Sequence, residues 1–126
     1  MKSSTLEKWL TEEGDKVVRK AAATNGLEAL DLRERLIYEM WLFDTEQRNG
    51  GISQYFCNHG LDQWHALSKI ASPHLPSFVA LAATVNRVIG RSADPYQAVL
   101  NSDIDLNENY EAYRFRLLTE LKLAAS

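Results

Sequence analysis

The chain has 126 residues, 45% hydrophobic and 25% charged, with three Trp, five Tyr and four Phe. That supports one domain with its own apolar core, so no disulfide or metal staple is needed for stability. A net charge of −3 and a pI of about 5.6 argue against direct nucleic-acid binding, which calls for a basic face to neutralise phosphates.

The periodicity is helical throughout, and no run alternates apolar and polar residues over strand length. We expect an all-α, compact single domain of six or seven helices. The first spans about 4–24. Ser4 and Glu7 have capping-box spacing, Leu6, Trp9 and Leu10 share a face, and Gly14 marks a break. The sequence TNG at 24–26 stops this helix, with Gly26 able to take a positive φ. A second helix carries Leu32, Leu36, Ile37, Met40, Trp41 and Phe43 on one side. Arg33, Glu34, Glu39 and Glu46 fall mostly on the other. It ends at Asn49-Gly50-Gly51, because each glycine costs about 1 kcal/mol of helix propensity relative to Ala.

A short helix follows from Ile52 to Asn58, and Asp62 is placed to cap the next, which holds Trp64, Leu67 and Ile70. Pro73 and Pro76 stop that helix and start a largely apolar one, closed by Gly90. Asp94 and Pro95 read as the cap and first position of a brief helix ending near Leu100. The last helix runs from about 107 to 122 with Tyr110, Tyr113, Leu117, Leu118 and Leu121 inward.

The longest run without a charged residue, Ile70 to Asn86, contains two prolines and several polar residues, so no membrane span is expected. One cysteine, Cys57, and no signal-like apolar run near the start fit a soluble cytoplasmic protein. Charge is unevenly spread. Residues 64–91 hold Lys69, Arg87 and Arg91 and no acid, whereas residues 92–113 hold Asp94, Asp103, Asp105, Glu108 and Glu111 and no base.

Chemistry-bearing motifs are scarce. Cys57, His59, Asp62 and His65 lie within nine residues, but C-x-H-x2-D-x2-H is no familiar zinc spacing and no second cysteine exists to complete a site. Cys57 reads as a small buried hydrophobe rather than a nucleophile. The stretch DIDLNENYEAYR opens like a calcium loop, then places Glu108 where glycine is required and Arg114 where the bidentate acid belongs. No phosphate-binding or hydrolase motif is present. We expect no catalytic residue, no metal and no cofactor.

The stretch NGGISQYFCN, 49–58, is the most distinctive. The glycines permit a sharp reversal. Tyr55 and Phe56 point in adjacent directions, one of them into the core. Gln54 and Asn58, four apart, share a face from which their amides can satisfy backbone groups left unpaired at the corner. Preceded by LIYEMWLFDTEQ and followed by WHALSKIASPHLPSFVALAATVNRVIG, it resembles the bacterial DNA mimic protein C-terminal domain. That family shows a pattern close to Asn-Gly-Gly-aromatic-x-Gln-aromatic-Phe-x-Asn. Asn49, Gly50, Gly51, Gln54, Tyr55, Phe56 and Asn58 match it, and Ile52 departs from it. The resemblance covers about residues 30–122 and leaves 1–26 as an N-terminal helical extension.

The resemblance implies an all-helical cytoplasmic protein that can form homodimers and occupies the DNA-binding face of a helix-turn-helix regulator. With a net charge of only −3, imitation of phosphates would fall to Asp94, Asp103, Asp105, Glu108 and Glu111. The function expected is a non-enzymatic protein-binding module that inhibits or regulates a basic nucleic-acid-binding partner. Two alternatives are an immunity or antitoxin-like protein, and a small-ligand-binding protein or enzyme using Gln54, Asn58, His59 and His65.

Overall fold

The computed structural model describes residues 3–126, and among them there is helix, turn and loop but no strand. The elements are α1 (Ser3–Ala23), a 3-10 turn (Gly26–Ala29), α2 (Leu32–Ala71), α3 (Pro76–Ile89), α4 (Pro95–Leu100) and α5 (Leu106–Ala124). α2 covers 40 residues, but Gly51 (φ 85°) and Gly60 (φ 75°) leave the helical region inside it. Those two glycines divide α2 into rods 32–50, 52–59 and 61–71. The expected helices at 52–58 and around Trp64 are the second and third of these.

Local signals explain most boundaries. Asp31 accepts the Glu34 N–H at 2.8 Å while the Glu34 carboxylate accepts the Asp31 N–H at 3.0 Å, a complete capping box opening α2. Pro76 and Pro95 occupy the first turns of α3 and α4, and Gly90 closes α3 at φ 53°.

Three expectations about the first two helices are corrected. Ser4 lies inside α1 and cannot be its cap, and Glu7 instead reaches Arg114. Gly14 does not break α1. It is buried against Trp41, and a Cβ there would lie 2.3 Å from the indole Cδ1. Glu39, expected on the solvent side of α2, is 1% exposed, held by Arg35 Nε at 3.3 Å and by the Gln63 amide.

α2 packs against α1, α4, α5 and α3, and α5 also packs against α1 and α3. The expected N-terminal extension is therefore part of the core, with Leu6 and Leu10 buried in it. An aromatic cluster lies at the centre. Phe43 meets Tyr55 edge-on at 5.0 Å and Tyr110 at 5.3 Å, and Trp64 lies 5.7 Å from Phe56 and 5.6 Å from Phe78. The first three are edge-to-face pairs, which add about 0.5–1.5 kcal/mol beyond their area burial, and the last is tilted at 45°. Trp64 keeps its polar edge satisfied by donating Nε1–H to Asn86 Oδ1 at 2.8 Å.

One polar network crosses this core. Asp44 Oδ1 accepts from the Tyr110 hydroxyl at 2.6 Å and from Arg114 Nε at 2.8 Å, and its Oδ2 accepts from Arg114 Nη2 at 3.1 Å. Arg114 Nη1 donates to Glu7, so α1, α2 and α5 meet at one guanidinium. The hydrogen bond and charge of Arg114 hold the Glu7 carboxyl below its usual range. Burial, reinforced by Asp44, pushes the Tyr110 phenol well up. Arg114, at the twelfth position of the calcium-loop-like stretch, is thus a core ion-pair residue. Its place in the sequence, four after Tyr110 on an apolar face, was the available signal.

Candidate functional site

The corner at 49–58 is built from three kinds of residue. Ile52, Tyr55 and Phe56 are buried, so both aromatics, not one, point into the core. Gly51 combines a φ of 85° with a ψ of 178°, a region almost exclusive to glycine that costs a residue with a Cβ about 1–3 kcal/mol. The cap for the new rod comes from far along the chain. Asn107, at the start of α5, accepts the Ile52 N–H on Oδ1 at 2.9 Å. The same amide closes over Gly51, where a Cβ would lie 2.6 Å from Asn107 Nδ2.

Gln54 and Asn58 do share a face, but they do not satisfy the corner's backbone as expected. Asn58 donates Nδ2–H to Glu46 Oε2, and the Gln54 amide has no hydrogen bond among the described residues. Gln54 lies over Gly50, where a Cβ would come within 1.8 Å of its Oε1. Both side chains are thus turned outward, toward α4. Asn49 is exposed.

On that outer face two clefts adjoin. One, of about 490 Å³, is lined by Cys57, His59, Asp62, Asp94 and Tyr96 among others. The other, of about 440 Å³, is lined by Gly50, Ser53, Gln54, Cys57, Asn58 and Tyr96. Cys57 is exposed here and not a core residue, because the helix period that buries Phe56 turns its neighbour outward. Asp62, expected as a cap, lies inside the helical run after the break at Gly60, with its carboxylate exposed. His59 Nε2 is 3.8 Å from Glu46 Oε2, and His65 is exposed and not part of either cleft. Gln54, Asn58 and His59 therefore gather as the ligand-binding alternative required, and His65 does not join them.

The five acidic residues are all exposed. Asp94 Oδ1 accepts the Gln97 N–H at 3.1 Å and Asp105 Oδ1 accepts the Glu108 N–H at 3.0 Å, so these two cap α4 and α5. None of the five forms a salt bridge among the described residues. Glu7, Glu34, Glu39, Asp44 and Glu46 elsewhere all face a cationic or imidazole partner. Asp94 stands apart from the others in belonging to the cleft. Lys69, Arg87 and Arg91 of the basic stretch are exposed. No helix among the described residues is long and apolar enough to cross a membrane.

No curated protein and no solved structure matches the chain. A family model described as DMP19-like protein matches residues 28–122. That stretch contains the 49–58 corner, both clefts, the buried Asp44–Arg114 pair and all five exposed acids. The resemblance read from the corner motif thus extends over most of the chain, and the protein belongs to the DMP19-like family of DNA mimic proteins.

Proposed function

We propose that this chain is a non-enzymatic, cytoplasmic protein-binding module that regulates or inhibits a basic nucleic-acid-binding protein, such as a helix-turn-helix regulator. The observation that carries the reading is the run of exposed carboxylates over 92–113, which no cation of the chain compensates among the described residues. Glu108 and Glu111 are one turn apart on α5, about 4.5 Å along its axis. Duplex DNA carries one charge per about 1.7 Å of axis. A handful of carboxylates can therefore stand in for a short run of phosphates, enough to steer and hold one basic element of a partner. A homodimer would double that surface.

The experiment is capture from a lysate of the source cell, with elution by duplex DNA. The expected result is a nucleic-acid-binding protein that is retained at low salt, released at high salt and displaced by the duplex. A variant with Asp103, Glu108 and Glu111 all changed to Lys, leaving the caps Asp94 and Asp105 intact, should lose it. A partner held equally by this variant and indifferent to salt and DNA overturns the reading.

A further inference from the structure

The outer face of the 49–58 corner has the chemistry of a receptor, and the core packing that explains Tyr55 and Phe56 does not account for it. The larger cleft is lined by two acidic residues, Asp62 and Asp94, and by the aromatic Tyr96, and neither Lys nor Arg lines it. Asp62 has no hydrogen bond or ion pair among the described residues. Asp94 uses Oδ1 on the Gln97 N–H and keeps Oδ2. The adjoining cleft, reached across Cys57 and Tyr96, offers the unpartnered amide of Gln54. Gly50 matters here, because only a residue without Cβ lets that amide lie where it does.

We infer that these two clefts receive an arginine side chain and the peptide group next to it. A planar guanidinium can stack on an aromatic face while its N–H groups donate to carboxylates, which an ammonium does less well. A primary amide carries a donor and an acceptor side by side, the complement of a peptide C=O and N–H. An anionic ligand finds no Lys or Arg in either cleft, and the His59 imidazole already faces Glu46 Oε2 at 3.8 Å. No three His, Cys, Asp or Glu side chains converge to hold a metal ion among the described residues. The arginine is that of a protein. The inference rests on the proposed basic partner only for the source of this residue, and the site lies on α2 and α4 rather than on the start of α5.

The probe is the blocked tripeptide Ala-Arg-Ala, titrated into isotope-labelled protein and followed by amide chemical shifts. A matched peptide carrying citrulline keeps the shape and removes the charge, and free arginine supplies the guanidinium without the peptide. Saturable shifts are expected at Cys57, His59, Gly60 and Tyr96 with the arginine peptide, weaker ones with free arginine, and none with citrulline. Asp62→Asn and Tyr96→Leu should each weaken binding by about tenfold, the size of one charge-assisted or cation–π contact. Gln54→Ala should weaken the peptide and leave free arginine unchanged. Circular dichroism verifies that each variant is folded. Equal shifts with citrulline, shifts confined to other surfaces, or unchanged binding in folded Asp62→Asn overturn the inference. Such a result leaves the proposed function standing if the 103/108/111 variant still loses its partner. Conversely, loss of the partner reading does not touch the peptide titration.

Discussion

Asn107 caps a helix that begins 55 residues before it: its Oδ1 accepts the Ile52 N–H at 2.9 Å while its amide covers Gly51. Removing the cap by Asn107→Ala should cost about 1 kcal/mol, as for other cap deletions. Gly51→Ala should cost more, since it adds the positive-φ penalty to a Cβ 2.6 Å from Asn107 Nδ2. In the double variant the steric part disappears and the φ penalty stays, so the double variant should cost less than the sum of the two single costs. Urea denaturation of the four proteins measures this coupling, and strict additivity would mean that the two residues do not meet.

The Asp44–Arg114 pair is bidentate, buried and bonded to Tyr110. Asp44→Ala leaves a guanidinium without its main partner and should destabilise by about 3–5 kcal/mol. Replacing both, as Asp44→Leu with Arg114→Met, should recover part of that loss, because no unpaired charge then remains in the core and only the Tyr110 hydroxyl is left without its acceptor. Midpoints from chemical denaturation decide it. A double variant worse than Asp44→Ala would show that the pair is worth more than the apolar packing that replaces it.

Gly14→Ala sets two effects against each other. Ala gains about 0.5–1 kcal/mol of helix stability over Gly. The new Cβ, however, lies 2.3 Å from Trp41 Cδ1, and forced overpacking costs about 1–3 kcal/mol. The second term is larger, so the variant should melt several degrees lower, with an altered Trp41 emission. A rise in Tm would show that the indole can swing away at little cost.

Alkaline pH should unfold the protein through its tyrosines. Burial, then the nearby acids, pushes the phenols of Tyr55 and Tyr110 well above the ordinary value of about 10. A raised folded value means that the stabilisation is complete below pH about 10 and is lost as pH climbs toward the folded values. Absorbance at 295 nm should show two of the five tyrosines ionising only together with loss of helical circular dichroism. Reversible ionisation of all five with the helix signal intact would contradict the packing around them.

Most of the fold was legible because its signals are local. Asp94-Pro95, Pro76, Gly26 and Gly90 act within a turn of themselves, and each sits where the sequence placed it. What escaped the sequence depends on partners far along the chain. Gly14 reads as a breaker until Trp41 is seen against it, Glu39 reads as surface until Gln63 folds back to it, and nothing near Ile52 announces a cap at Asn107. The candidate site divides in the same way. The acidic segment is exposed as charge alone suggested, whereas the cleft exists only once α4 is laid beside the corner.

The break at Gly51 and the second at Gly60 leave a rod of eight residues, too short to hold helical form in water by itself. Its order is borrowed from Ile52, Tyr55 and Phe56, which cannot leave the core without opening the aromatic cluster. Unwinding of the outer face is therefore tied to opening of the core, and a ligand arriving there meets a wall already in place, with little ordering left to oppose its binding.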